Sequence, residues 1–269
     1  MKKGNLTFIG LGLFDEKDIT IKGIEEIKNC DKVYAEFYTA KLTGTDIKKI
    51  EKIIDKKIKI LSRTETEDGN IILSDAKDKK IAFLTCGDPM TATTHVDLRL
   101  RAIKMGIKTI VIHGSSIVTA VPGLLGLQNY KFGRTTTLAY PEKNYFPTSP
   151  YDVIKENKKV GLHTLVLLDI QADNNKFMTA NEGMKLLLSM EEKQKEKLFE
   201  NDSIVCVVAR AGSKESITKA GSIKDLIKEN FGPPLHSLVI PGDLHFMELE
   251  ALQILAQLPA QQVRKIQKL

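Results

Sequence analysis

The chain has 269 residues, of which 42% are hydrophobic and 28% are charged, and 40 Lys and Arg against 34 Asp and Glu give a formal net charge of +6. This composition is ample for a buried core and does not fit a disordered chain. Because no apolar run approaches 18 residues and the start, Met1-Lys2-Lys3-Gly4, lacks an apolar signal core, we expect neither a transmembrane span nor a signal peptide.

The first half alternates short β-branched runs with helical patterns. Strands are predicted over Leu6–Ile9, Lys32–Phe37, Lys57–Leu61, Ile81–Thr85 and Thr109–His113, and helices over Thr20–Asn29 and Thr94–Met105. Gly106 is a typical C-terminal helix stop. The lysine-rich segment from Lys48 to Lys59 carries isoleucines at helical spacing and no interleaved aromatic residues, which favours a solvated helix face over a nucleic-acid groove.

The pattern restarts after Lys131-Phe132-Gly133. Strands are predicted over Thr135–Ala139, Thr164–Leu168, Ile204–Ala209 and Ser237–Ile240. Ser149 before Pro150 predicts a capped helix start, Thr179 and Glu182 predict a capping box, and residues 191–200 predict an exposed helix end and loop. We therefore predict two α/β domains with mixed, largely parallel sheets, residues 1–114 and 115–269, joined within 114–130.

Three isolated cysteines, Cys30, Cys86 and Cys206, lack Cys-x-x-Cys spacing. They are typical of reduced thiols in a cytoplasmic protein and predict neither a disulfide framework nor a zinc site. The five histidines are also scattered, without the spacing of metal ligands. We expect a cytoplasmic protein that needs no metal.

Gly10-x-Gly12 follows a predicted strand, as in a dinucleotide-binding loop. The third glycine of that motif is missing, because Asp15 occupies its position, and a carboxylate suits a pyrophosphate poorly. A ligand without phosphate needs only close backbone approach, so the loop favours such a ligand over NAD.

Gly87-Asp88-Pro89 also lies between a predicted strand and a predicted helix. Open α/β sheets build ligand sites at this point. Gly87 permits close backbone approach, and Asp88 offers a carboxylate. An ordinary turn with a helix cap would use the same residue types, so the tripeptide by itself leaves both interpretations open.

From about residue 5 to about residue 250 the chain resembles the diphthine synthase family, within the tetrapyrrole-methylase-like class of S-adenosylmethionine-dependent methyltransferases. The motifs that carry the resemblance are Phe8–Leu13, Ala35–Thr39, Gly87–Pro89, His113–Ile117, Tyr130–Gly133, Gly161–Leu165, Leu168–Ile170, Ala209–Gly212 and Pro234–Leu238. The first glycines and Gly-Asp-Pro mark the class, whereas Glu36-Phe37-Tyr38, Gly161–Thr164 and Leu168–Ile170 mark the diphthine branch. Pro122 departs from the pattern, because it lies where the family is expected to be helical without proline.

The resemblance implies two α/β domains with S-adenosylmethionine in the cleft between them. The family's cofactor contacts fall, motif by motif, on Leu13, Asp88, Thr91, Ser116, Ile117, Leu168, Ala211 and His236. Asp88, Ser116 and His236 have side chains that could hydrogen-bond the ribose or the methionine end, and the apolar members could wall the adenine. Residues such as Leu168, Ile117 and Ala211 are more often ordinary core residues, and His236 is equally typical of a turn histidine.

The resemblance also implies an activity and partners. The substrate would be translation elongation factor 2, at a histidine carrying a 3-amino-3-carboxypropyl group whose amine is methylated repeatedly. A homodimer is implied, with no membrane and no nucleic acid as partner, and the apolar residues Leu249, Leu252, Ile254 and Leu255 could contribute to its interface. The alternatives are a methyltransferase of this class acting on a tetrapyrrole or ribosomal RNA, and a non-catalytic cofactor-binding module.

Overall fold

The computed structural model describes residues 4–38, 40–143 and 145–266. The chain divides into two compact units. The first contains the chain up to Ile117 together with Ile170–Lys176, and the second contains Val118–Asp169 and the chain from Phe177 onward. Ile170–Lys176 thus belongs to the first unit although it lies within the second half of the sequence.

Five parallel strands form the sheet of the first unit, as far as the described residues go, in the order β3-β2-β4-β1-β5. The strands are β1 (Asn5–Gly10), β2 (Lys32–Ala35), β3 (Ile58–Ile60), β4 (Lys80–Thr85) and β5 (Lys108–Ile112). The helices are α1 (Ile21–Lys28), α2 (Ile47–Ile54), α3 (Arg63–Asp68), α4 (Asn70–Asp75) and α5 (His95–Lys104).

Both faces of this sheet are buried, as a parallel sheet requires. Along β1, Leu6 and Phe8 belong to a core that includes residues of α4 and α5, whereas Ile9 belongs to a second core with residues of α1 and α2. Ile50 and Ile54 are the buried face of α2, which confirms the solvated helix predicted for the lysine-rich segment. Gly106, at φ +74°, follows α5 as the predicted stop.

The second unit carries a mixed sheet in the order β11-β10-β12-β7-β6. Its elements are α6 (Ile117–Leu125, whose first residue belongs to the first unit), β6 (Thr136–Leu138), α7 (Ser149–Lys159), β7 (Thr164–Leu168), α8 (Ala180–Gln194), β10 (Ile204–Ala209), β11 (Ile217–Ser222), α9 (Ile223–Leu226), β12 (His236–Ile240), α10 (Phe246–Leu255) and α11 (Ala260–Ile266). β6 pairs with β7 in parallel, and the other three pairings are antiparallel. Two short strands, β8 (Ile170–Gln171) and β9 (Lys176–Phe177), form a separate small pair that belongs to the first unit except for Phe177.

The predicted fold class is confirmed, with the parallel character concentrated in the first sheet. Every predicted strand is present, although Lys32–Phe37 ends at Ala35. β11 was not predicted, because its sequence, with Lys219, Gly221 and Ser222, lacks the apolar alternation of a strand. α6 continues through Pro122, so the departure noted there does not interrupt the helix.

Helix starts and ends in the second unit follow the sequence with two corrections. Thr179 and Glu182 form the predicted capping box of α8. Ser149 is the first residue of α7 and not its cap, since Thr148 holds the cap position without a side-chain bond. The segment after α8 is not simply exposed, because the partly buried Glu191 carboxylate accepts hydrogen bonds from the Leu198 and Phe199 N–H groups at 2.8 and 2.9 Å.

Two of the motifs noted in the sequence, Tyr130–Gly133 and Gly161–Leu165, meet Glu248 of α10 in a buried network within the second unit. His163 Nε2 lies 3.0 Å from Glu248 Oε1, and Lys131 Nζ lies 2.8 Å from Glu248 Oε2. The Gly242 N–H donates to His163 Nδ1 at 2.9 Å, so the ring is neutral and donates from Nε2. Burial lowers the pKa of His163 further than Glu248 raises it. These motifs therefore fix the core of this unit.

No helix in the described ranges is long and apolar enough to cross a membrane.

Candidate cofactor site

Three loops converge where β1, β4 and β5 end. Because these neighbouring strands are parallel, their carboxyl ends lie on one edge of the sheet. The Gly12 and Gly87 backbones bond each other, with Gly87 N donating to Gly12 O at 2.7 Å. A Cβ added to Gly10 would lie 2.4 Å from the Gly87 oxygen and 2.6 Å from the Gly114 nitrogen. Only glycine permits this approach, so the backbone itself forms the floor of the site.

The loop after β1 is held by Asp18. Its Oδ2 accepts hydrogen bonds from the Leu13 N–H at 3.1 Å and the Phe14 N–H at 2.7 Å. The next α-helix, α1, does not begin until Ile21. A dinucleotide-binding loop instead leads directly into a helix whose N-terminus receives the pyrophosphate. The loop after β1 therefore differs in geometry from a dinucleotide-binding loop.

Asp88 is a buried carboxylate, 7% exposed, with both oxygens engaged. Oδ1 accepts from the Met90 N–H at 2.9 Å and the Thr91 hydroxyl at 3.2 Å, and Oδ2 lies 2.7 Å from His113 Nδ1. Burial by itself would raise the pKa of Asp88, but the bonds from Met90, His113 and Thr91 hold the pKa below its usual value. Asp88 is thus ionised at neutral pH and organises its own loop as well as the start of the loop after β5.

The remaining first-unit candidates lie along the same edge. Thr91 is half-buried beside Asp88, Ser116 is buried, and Ile117 is half-buried at the start of α6. The structure therefore brings five of the eight predicted contacts to the loops at the carboxyl ends of β1, β4 and β5. The fifth of these contacts is Leu13, in the loop after β1.

The three second-unit candidates share one edge of the other sheet. β12 runs antiparallel to β7 and β10, so its first residue, His236, lies at the end where those strands finish at Leu168 and Ala209. Ala211 follows two residues later and is 8% exposed. This unit too presents its predicted contacts along a single edge.

Two of these second-unit side chains are occupied within the protein. His236 Nδ1 accepts from the Ala180 N–H at 3.1 Å, and Nε2 lies 3.1 Å from the Pro233 carbonyl oxygen. Burial lowers the pKa of His236, so its ring is neutral. Leu168 packs in the core against α8, where a Cβ on Gly183 would lie 2.9 Å from it. Hydrogen bonding by the His236 ring to a ligand would require one of its present bonds to break.

S-adenosylmethionine fits the first-unit edge by its chemistry. The ligand carries no phosphate, and the glycine loop after β1 provides backbone groups without an adjoining α-helix N-terminus. The Thr85 hydroxyl, at the end of β4, is buried without a hydrogen-bond partner among the described residues. A Cβ added to Gly87 would have the Ser115 oxygen, at 4.0 Å, as its nearest neighbour, so there is open space beside Gly87.

Comparison with known proteins identifies the family. Residues 5–227 match the family of Tetrapyrrole (Corrin/Porphyrin) Methylases. The chain belongs to this family.

Curated relatives of this methylase place it in one branch. It is 56% identical over 251 residues to the diphthine synthase of Methanococcus vannielii, covering 93% of this chain and 98% of the relative. It is 54% identical over 255 residues to that of Methanocaldococcus jannaschii, covering 94% and 99%. A crystal structure of diphthine synthase matches with a TM-score of 0.87 at 39% identity, covering 96% of this chain and 98% of the other. The predicted resemblance to the diphthine synthases is confirmed.

Sequence reasoning missed two features of this methylase. The Asp88–His113 pair was not predicted, because the two residues follow strands separated by β1, and only the sheet order brings them together. Glu36, fully buried after β2, has Oε1 3.7 Å from His95 Nε2, and His95 Nδ1 lies 3.2 Å from the Pro89 oxygen. Glu36 in the branch-specific motif thus lies close to His95, whose ring contacts the Gly-Asp-Pro loop at Pro89.

A surface pocket of about 740 Å³ lies at the amino ends of β2 and β3, away from the Asp88 edge. Lysines line it, but Lys32 pairs with Asp75 and Lys57 with Glu51, at 2.7 and 2.8 Å. Two of its four lysines are thus paired with carboxylates within the protein. Within the described ranges, no group of three or more His, Cys, Asp or Glu is placed to hold a metal ion.

Proposed function

We propose that this chain is an S-adenosylmethionine-dependent methyltransferase that repeatedly methylates the amine of 3-amino-3-carboxypropyl-histidine on translation elongation factor 2. The observation that carries the proposal is the 54–56% identity to diphthine synthases over nearly the whole chain. The converging glycine loops form an edge of the first sheet that suits a cofactor without phosphate groups. The reaction is a step of diphthamide biosynthesis.

The chemistry asks the protein mainly for alignment. When bound, the sulfonium cofactor supplies an already activated methyl group, so no metal is needed. Holding two reactants in line contributes roughly 7–11 kcal/mol to rate acceleration. The rigid backbone floor at Gly10, Gly87 and Gly114 suits that task, because it is fixed by main-chain packing and not by mobile side chains.

The eight predicted contacts remain our candidates for cofactor binding. Leu13, Asp88, Thr91, Ser116 and Ile117 come from the first unit, and Leu168, Ala211 and His236 from the second. Asp88→Ala should weaken S-adenosylmethionine binding by about 1–3 kcal/mol, since a buried ionised acceptor is lost and its loop relaxes. Calorimetry with the cofactor, its demethylated product and NAD tests this, and tight NAD binding or an unaffected Asp88→Ala variant would count against the assignment.

We further assign a homodimer in the cytoplasm. Cys30, Cys86 and Cys206 are free thiols, which suits a reducing compartment. In α10, Leu249 and Leu252 are buried whereas Ile254 and Leu255 are 70% and 46% exposed, so only the latter pair is available to an interface. Light scattering at micromolar concentration should give about twice the 30.0 kDa chain mass, and an active monomer would reject the dimer.

The decisive experiment is a mass spectrum of elongation factor 2 after incubation with this protein and methyl donor. The factor carrying the aminocarboxypropyl group should gain methyl groups in steps, and the factor lacking that group should gain none. Transfer to a tetrapyrrole or to ribosomal RNA, or stoichiometric cofactor binding without turnover, would replace the proposal with the corresponding alternative.

A further inference from the structure

His113 lies in the loop after β5, at the candidate cofactor site, and its ring contacts the Asp88 carboxylate. It follows β5 directly, its side chain is 74% exposed, and its Nδ1 lies 2.7 Å from Asp88 Oδ2. The other histidines are differently placed. His95, His163 and His236 are buried, and His245 caps α10 by accepting from the Met247 N–H. His113 alone thus combines exposure with a buried ionised partner.

The pairing fixes the tautomer of His113. Asp88 is ionised and accepts hydrogen bonds at both oxygens, so Nδ1 of His113 must be the donor. In the neutral ring the proton then sits on Nδ1, and Nε2 carries a free lone pair. Met90 and Thr91 hold Asp88 in place, so the ring has a defined direction although it is exposed. The same arrangement of a buried carboxylate behind a histidine supports proton abstraction in many enzymes.

On the proposed function, the substrate needs a base. A model α-amino group has a pKa of roughly 8, so only about a tenth is neutral at pH 7. The adjacent carboxylate on the substrate raises that pKa further. After the first and second transfers the product amine again carries a proton, which must leave before the next transfer.

We propose that Nε2 of His113 is the general base of the methyl transfer. It takes one proton from the substrate ammonium, and the freed nitrogen lone pair then forms the bond to the methyl carbon while the carbon–sulfur bond breaks and leaves its electron pair on sulfur. The protonated ring, stabilised by Asp88, returns its proton to water before the next cycle. The third transfer gives a quaternary ammonium, which has no proton to remove.

The neighbouring loops carry titratable groups of their own, among them Asp18 after β1, whose carboxylate accepts from the Leu13 and Phe14 N–H groups, and Cys86 after β4, whose thiol pKa is raised by burial. The residues directly after His113 are Gly114 and Ser115. Asp88 is the charged group that hydrogen-bonds the ring. Because the base acts on the substrate ammonium, the pH dependence of the transfer should reflect the protonation of the substrate amine.

The test compares His113→Ala, His113→Gln and a control, Lys108→Gln, at the exposed opposite end of β5. Single-turnover methylation of modified elongation factor 2 is measured at saturating cofactor between pH 6 and 9. Both His113 variants should lose at least about tenfold in rate at pH 7, with cofactor affinity within threefold of wild type. The deficit should shrink as pH rises, and added imidazole should restore His113→Ala but leave the control unchanged.

The outcomes separate this proposal from the function on which it rests. If wild-type protein transfers no methyl group to the factor, the proposed function fails and the base falls with it. If wild type is active and His113→Ala keeps at least half the rate, the base is refuted while the function stands. A loss that imidazole does not rescue and that does not shrink with pH would make His113 a brace for the Asp88 loop and overturn the proposal.

Discussion

Glu248 is the centre of the buried network in the second unit, and replacing it by alanine is a direct test of how that unit is held together. Its side chain is 1% exposed. It accepts from His163 Nε2 at 3.0 Å, from Lys131 Nζ at 2.8 Å, and from the Gln128 and His245 N–H groups, each at 2.9 Å. The variant would remove all four acceptor contacts at once.

The loss of unfolding free energy expected for Glu248→Ala can be worked out in two ways. Breaking a buried ion pair by removing one partner costs about 3–5 kcal/mol, because the other charge and the buried donors lose their acceptor. Independently, burial by itself would raise the pKa of Glu248, but the bonds from Lys131, the backbone N–H groups and His163 lower it from 4.5 to about 2. At about 1.4 kcal/mol for each pKa unit, that difference corresponds to about 3.5 kcal/mol. We expect Glu248→Ala to lower the free energy of unfolding by about 3–5 kcal/mol.

The assay is urea unfolding followed by far-ultraviolet circular dichroism, since the chain contains no tryptophan. Glu250→Ala, at an exposed position of the same helix, is the matched control and should stay within about 0.5 kcal/mol of wild type. Because the folded-state pKa of Glu248 is depressed, its contribution is present above the unfolded value of 4.5 and is lost as pH falls toward 2. The gap between variant and wild type should thus start to close below about pH 4.5. A Glu248→Ala variant within 1 kcal/mol of wild type at pH 7 would refute the reasoning.

Three further predictions concern other parts of the fold. Gly10→Ala would place a Cβ 2.4 Å from a carbonyl oxygen of the adjacent loop, so it should destabilise the protein by about 1–3 kcal/mol. Calorimetry should detect no cofactor binding to this variant. Gly123→Ala, whose added Cβ would have nothing within 4 Å, should change neither stability nor binding. Thr179→Ala should cost about 1 kcal/mol in urea unfolding through loss of the α8 cap, while Thr148→Ala, whose side chain makes no cap bond, should be near neutral; equal losses would contradict the capping argument. Burial lowers the pKa of His163 below its unfolded value, so below about pH 6.5 the unfolded chain binds more protons than the folded protein. The urea midpoint should therefore fall as the pH is lowered from about 7.5 to about 5.5, and a midpoint that rises over this range would contradict the prediction.

Local patterns in the sequence predict most of the architecture. The alternation of short apolar runs with helical patterns identifies the strands of the first unit, and glycine or polar residues at strand ends identify the edge where the site lies. Thr179 and Glu182 predict the start of α8 because capping depends on neighbours in sequence. These signals depend only on residues that are close in sequence, so they can be recognised without knowing the fold.

What the sequence does not predict depends on strand order and long-range pairing. Asp88 and His113 are 25 positions apart and follow β4 and β5, and nothing in their spacing reveals that β1 lies between those strands. Glu191 is an ordinary polar residue in the sequence, and its role appears only where the chain turns back so that it accepts from Leu198 and Phe199. β11 is recognisable as a strand only by its pairing with β10.

The close backbone contacts among Gly10, Gly87 and Gly114 mean that a shift of one of the three loops would displace the others. A side chain larger than hydrogen at Gly10 or Gly114 would collide with the backbone of a neighbouring loop. Because the colliding atoms belong to the backbone, a side-chain substitution elsewhere cannot make room, and a side chain at Gly10 or Gly114 would require the neighbouring loop to move. Redesign of ligand preference has to begin with the side chains around this floor, because the floor itself offers no independent adjustment.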